Sequence, residues 1–172
     1  NMKTKNDSFI IVRAKKRIFS LLLMAMMTFA LLPATALAEG NDFIVTGDPA
    51  GYTYDASGVL TFTSPGDYTV SMATPGATTT TDRIIVAAGT AENPVNITLN
   101  GVNISSSLCA LDIDESVQAC LNLTLQEGTT NILSSGNNYA GIQCTAGATL
   151  KINGSGALTA TGGYYGAGMG GG

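Results

Sequence analysis

Two groups of side chains in this sequence have the types and spacing to do chemistry. Asp112 and Asp114 stand two apart, with Glu115 beside them. On a β-strand, side chains two apart share a face. Paired carboxyls about 5–9.5 Å apart can cleave a glycosidic bond. The same oxygens, with backbone carbonyls, could hold calcium, because a hard cation wants several oxygen ligands. The second group is Tyr139, Tyr164 and Tyr165. A tyrosine ring offers a flat apolar face to a sugar ring and a polar tip to its hydroxyls. Each group also has a plainer reading. If Leu111 and Ile113 face a core, Asp112 and Asp114 are a solvated acidic face, and the tyrosines can serve to cover an edge of the fold.

Other chemistries lack their parts. The chain contains no His and no Trp, which excludes Ser-His-Asp and Cys-His catalysis and any zinc site that needs His. Cys109, Cys120 and Cys144 are an odd number, so at most one bridge could form. They read as small inward residues in a narrow core. The glycine-rich segment 162–172 lacks the strand, lysine and helix of a phosphate-binding loop. Arg83 is the one cation placed to assist Asp112 in a lyase reaction, about one repeat before it.

What must position these groups is a repeat that runs through 84–163. Val95-Asn96-Ile97-Thr98-Leu99-Asn100-Gly101, Leu121-Asn122-Leu123-Thr124-Leu125-Gln126-Glu127-Gly128 and Thr149-Leu150-Lys151-Ile152-Asn153-Gly154 each alternate apolar and polar residues and stop at glycine. Each has a short companion run before it and another after it. Leu99, Leu125 and Ile152 read as equivalent, at spacings of 26 and 27. The unit is three short strands with turns, and a period in the twenties marks a solenoid. One unit cannot bury its apolar face alone; stacking the next, about 4.8 Å away, does so. The predicted fold is therefore all-β, a parallel β-helix of about three coils plus an N-terminal β cap. The same strands could form an antiparallel sandwich, with Asn100-Gly101 as a hairpin turn, but a repeat of three strands favours the solenoid.

Taken in order, residues 1–38 read as a secretory signal peptide. They have a basic front with Lys3, Lys5, Arg13, Lys15, Lys16 and Arg17. An apolar run follows at 18–32, then Ala36-Leu37-Ala38 as a cleavage site. The apolar run falls short of the roughly 20 residues of a membrane span, so no stable span is expected after cleavage. Residues 39–82 read as cap and opening strands, the cap covering the first coil against edge pairing. Residues 83–172 are the β-helix repeats, and the glycine-rich close suggests that the repeats continue. From 39 onward the only cations are Arg83 and Lys151 against eleven carboxylates, a net charge of −9. Nucleic acid is excluded as a partner, since its phosphates require clustered Lys and Arg. An acidic polymer would need a bridging cation. Asn96, Asn103, Asn122 and Asn153 occur in Asn-x-Ser/Thr sequences and read as polar residues lining the solenoid.

The runs Ile97-Thr98-Leu99-Asn100-Gly101-Val102-Asn103-Ile104, Leu123-Thr124-Leu125-Gln126-Glu127-Gly128, Leu150-Lys151-Ile152-Asn153-Gly154-Ser155-Gly156 and Gly166-Ala167-Gly168-Met169-Gly170 carry a resemblance. Over about half its length the chain resembles the secreted, right-handed parallel β-helix carbohydrate-binding-domain family of clostridia and related Gram-positive bacteria. That resemblance implies a pectate-lyase-like solenoid, display at the cell surface, and binding of a polysaccharide or cell-surface glycan, in some members with calcium. Members are typically longer than this chain. The expected function is a non-catalytic, adhesin-like glycan binder. A polysaccharide lyase or glycoside hydrolase on the same fold, or a structural surface stalk, are the alternatives, because fold alone does not separate them.

Overall fold

A computed structural model describes residues 41–74, 76 and 79–171. The signal-peptide segment, the expected cleavage junction and the last residue lie outside these. The described chain is built almost wholly of strands. They are β1 (Phe43–Thr46), β2 (Tyr52–Tyr54), β3 (Val59–Phe62), β4 (Gly66–Met72), β5 (Arg83–Val86), β6 (Val95–Asn100) and β7 (Asn103–Ser105), followed by β8 (Leu111–Ile113), β9 (Cys120–Leu125), β10 (Thr130–Ser134), β11 (Ile142–Cys144), β12 (Thr149–Gly154), β13 (Ala157–Thr161) and β14 (Met169–Gly170).

Three sheets form the sides of a solenoid of about four turns. The first side runs β4-β6-β9-β12, the second β7-β10-β13, and the third β3-β5-β8-β11-β14, with every neighbouring pair parallel. Thr80 bridges to Ile104 in parallel, which gives the first coil a contact on the second side. The chain thus passes repeatedly from third side to first to second. The 39–82 segment supplies one coil of its own, through β3 and β4. Only β1 and β2 run antiparallel, against β4 and β3 respectively.

Period-2 alternation explains the core. In β6 the burial alternates strictly, with Val95, Ile97 and Leu99 inside and Asn96 and Thr98 outside. Leu121, Leu123 and Leu125 continue the stack from β9, while Ile104, Leu133, Leu111, Ile113 and Ile142 fill it from the other sides, nearly all of them under 2% exposed. Burial declines in the terminal coil, where Ile152 is 38% exposed, because no further coil stacks on it among the described residues.

One register expectation is corrected. Leu99 does pair with Leu125, but Leu125 then meets Gly154, and Ile152 stacks on Leu123 and Ile97 instead. All three residues keep the inward face, since an offset of two preserves side. The cause is turn length. β9 leaves through a longer turn, closed by Thr129 N–H donating to Gln126 O at 3.2 Å. Gly128 therefore lies outside its strand, whereas Gly154 lies within its own.

A partly buried polar latch ties β1 and β2 to the first coil. Tyr54 Oη donates to Asp82 Oδ2 and accepts from the N–H groups of Asp42 (3.1 Å) and Phe43 (3.2 Å). Asp82 Oδ2 also accepts from Asp42 N–H at 3.0 Å. Asp42 Oδ2 in turn accepts from the Thr80 hydroxyl at 2.5 Å. Burial, with the Asp82 carboxylate beside it, holds the Tyr54 phenol well above its usual range.

Candidate functional site

The three tyrosines fall on one corner of the solenoid, where the chain turns from the second side to the third. Tyr139 lies in the 135–141 turn between β10 and β11, and Tyr164 and Tyr165 lie in the 162–168 turn between β13 and β14. The two turns stack through their backbones: Gly163 N–H donates to Tyr139 O at 3.1 Å, and Tyr164 N–H donates to Asn137 Oδ1 at 3.4 Å. Glycine is required for this approach. A Cβ on Gly163 would sit 2.0 Å from Gly136 O, and one on Gly166 only 1.8 Å from Tyr139 O. The glycine-rich close of the sequence is thus a stacked corner followed by β14.

Tyr164 and Tyr165 are 82% and 79% exposed, and their rings meet edge to face with centroids 4.7 Å apart. Tyr139 is half-buried below them. Phe43, Phe62 and Tyr68 are buried, and Tyr52 and Tyr54 pack against the core. The chain therefore puts two of its few aromatic rings outside, touching each other, at one place.

The acidic group is not assembled into a site. Asp112 projects outward from β8, between Ile85 and Gln143 of the neighbouring coils. It is half-buried, and that burial pushes its carboxyl pKa up, partly offset by the Arg83 charge. Asp114 lies beyond the strand end and turns back to cap a short 3-10 turn, accepting from Ser116 N–H at 2.8 Å. Glu115 is exposed within that turn. Asp112, Asp114 and Glu115 therefore do not fit calcium, which takes 6–8 oxygens around one point. Among the described residues no three His, Cys, Asp or Glu side chains are grouped to hold a metal ion. Asp114 lies one residue past the end of β8, still extended, with its N–H donating to Val86 O at 2.9 Å.

The three cysteines are free. Burial pushes the Cys109 thiol up to about 11, which keeps it protonated and unreactive at neutral pH.

A family model described as a carbohydrate-binding domain-containing protein matches residues 56–170. The chain belongs to this carbohydrate-binding domain family. The match spans the solenoid from just before β3 to the end of β14, so the stacked coils themselves are the carbohydrate-binding domain, and the tyrosine corner lies inside it. Searches of curated proteins and of solved structures find no match.

Sequence reasoning passed over another feature of this domain. The outer face of β4, β6, β9 and β12 holds an open depression of about 420 Å³, lined by Asp67, Thr69, Asn96, Thr98, Asn122 and Thr124 among others. The signal was present as Asp-x-Thr, Asn-x-Thr and Asn-x-Thr in successive repeats. It read only as a polar lining because nothing in a single repeat distinguishes a lining from a ladder.

Proposed function

We propose that this protein is a non-catalytic glycan binder, exported and acting at the cell surface, in which a neutral sugar stacks at the Tyr164–Tyr165 corner. The observation that carries this is the exposed ring pair, 4.7 Å apart, where the other aromatics among the described residues are buried or half-buried. Exposed aromatic surface held in one orientation costs little entropy to bind, because a tyrosine has only two side-chain torsions to fix. The non-catalytic reading is supported by the placement of the carboxylates. Hydrolysis needs two of them across one sugar-sized cleft. The depression on the outer face of β4, β6, β9 and β12 contains one, Asp67, already bonded to Asn96 Nδ2.

The test is a pull-down on immobilised neutral and acidic polysaccharides, with and without chelator, beside an assay for reducing ends and unsaturated products. Binding of a neutral polymer that chelator leaves unchanged is expected, with no product. Product release that Asp112→Asn abolishes would make the protein an enzyme. Acidic-polymer binding that chelator removes would restore the ion-bridge mechanism.

Export has its own test. The basic front, apolar run and small-residue junction of 1–38 support cleavage after Ala38. N-terminal sequencing of secreted protein should then begin at Glu39. Retention of 18–32 in the mature protein would make it membrane-anchored instead.

A further inference from the structure

The outer face of β4, β6, β9 and β12 repeats its polar residues in register. Asp67, Asn96, Asn122 and Lys151 form one column across the coils, and Thr69, Thr98, Thr124 and Asn153 form the next. The first column is bonded head to tail: Asn96 Nδ2 donates to Asp67 Oδ1 at 2.8 Å, and Asn122 Nδ2 donates to Asn96 Oδ1 at 2.8 Å.

The ends of the column set its direction. A carboxylate only accepts and an ammonium only donates. Asn96 must therefore turn its amide nitrogen towards Asp67, and Asn122 must follow. This leaves the carbonyl end of Asn122 towards the coil of Lys151. Each amide still has a second N–H, and each oxygen a further lone pair, free to meet a ligand. The Asn96 and Asn122 rungs thus each present a donor beside an acceptor, with a threonine hydroxyl, itself both, alongside. That is the pattern a run of sugar hydroxyls satisfies, since each hydroxyl also donates and accepts. The column begins at one negative charge and ends at one positive charge, so it carries no net charge to select an acidic polymer.

Spacing selects the form of the ligand. Rungs recur at about 4.8 Å, the strand separation. An extended β-linked polysaccharide advances by a similar distance per sugar, so a chain laid along the solenoid axis meets one sugar per coil. A volume of about 420 Å³ falls within the 300–1,000 Å³ typical of ligand sites. The face lies on the side of the solenoid opposite the tyrosine corner, so one sugar cannot touch both.

We propose that this face is a second carbohydrate site, which takes an extended neutral polysaccharide running across β4, β6, β9 and β12. The proposal rests on the reading of the protein as a glycan binder. Because the face offers hydrogen bonds and little apolar surface, each sugar adds a small increment, and affinity builds with chain length.

The experiment is calorimetric titration with neutral β-linked oligosaccharides of glucose, xylose and mannose, from disaccharide to hexasaccharide, with polygalacturonate as the acidic probe. It compares the wild-type chain, Asn96→Ala/Asn122→Ala, and Tyr164→Ala/Tyr165→Ala, each checked for its urea midpoint. One neutral series should gain about tenfold or more in affinity as the chain grows to span the coils. The asparagine variant should lose that gain and the tyrosine variant should keep it. Thr98→Val/Thr124→Val, which preserves strand propensity, should lose it too and serves if the asparagine variant is unfolded. Length dependence that survives in the ladder variants while the tyrosine variant loses binding overturns this site and leaves the glycan reading standing. Preference for polygalacturonate overturns the neutral assignment. No binding of any probe by the wild type overturns both.

Discussion

Replacing Tyr164 and Tyr165 together with alanine should remove most of the affinity for short neutral sugars, from monosaccharide to disaccharide. The two rings meet edge to face, a geometry worth about 0.5–1.5 kcal/mol to an aromatic pair. The pair therefore holds itself in one arrangement before a sugar arrives, which lowers the ordering cost of binding. Truncating an aromatic anchor of this kind typically costs about 2 kcal/mol or more, roughly thirtyfold in dissociation constant. The same change should cost folding stability no more than about 1.5 kcal/mol, the worth of the ring pair itself, because both side chains are about four-fifths exposed. Tyr164→Phe/Tyr165→Phe separates the two contributions, since it keeps the stacking surface and deletes the hydroxyls; its loss should be intermediate. Titration with a disaccharide, beside a urea melt, checks all of this. Unchanged disaccharide affinity in a folded alanine variant would remove the corner from the binding mechanism.

The corner was legible in the sequence because its residues recur at the same point of the repeat, after β10 and after β13. Their exposure was not legible. It depends on glycines 163 and 166 letting one turn lie directly on the one below, where a Cβ would meet backbone oxygen. The stacking of three-strand units was readable from alternation alone. Its register was not, because glycine marks the turn in one coil and sits inside the strand in another. Gly128 and Gly154 look equivalent as letters, yet Gly154 pairs with Leu125. The capping role of Asp114 was hidden for a similar reason: spacing of two reads as a strand face, and nothing in the letters shows that β8 ends at Ile113 and that Asp114 starts a 3-10 turn. The asparagines gave the least away. Asn96, Asn122 and Asn131 each sit beside alternating apolar residues, but the first two lie outside and the third is fully buried.

Asn131 is where that difference should be felt most. Its side chain occupies the corner between the first and second sides, with 0% exposure. Oδ1 accepts from Gly101 N–H and Val102 N–H, both at 3.0 Å, in the coil before. Nδ2 donates to Ala157 O at 3.2 Å in the coil after, and to Thr129 Oγ1 at 3.3 Å in its own turn. One amide thus joins three successive coils at a corner where the chain cannot continue its ladder. Asn131→Ala leaves two N–H groups and a carbonyl without this partner. Each buried unsatisfied group costs about 1–3 kcal/mol, so a total near 4 kcal/mol is expected, a large part of the roughly 5–15 kcal/mol that holds a domain folded. Asn131→Asp should also be severe, because a carboxylate cannot donate to Ala157 O and brings a charge into a buried site. Asn96→Ala, on the half-buried outer ladder, should change stability by only about 1 kcal/mol and serves as the control. Urea denaturation of the three variants separates these cases. A midpoint for Asn131→Ala equal to that of Asn96→Ala would mean that the stacked strands, not the amide, set the corner. The expected order, with Asn131 far costlier than Asn96, follows from burial alone, because water can replace the lost partner only on the outer face.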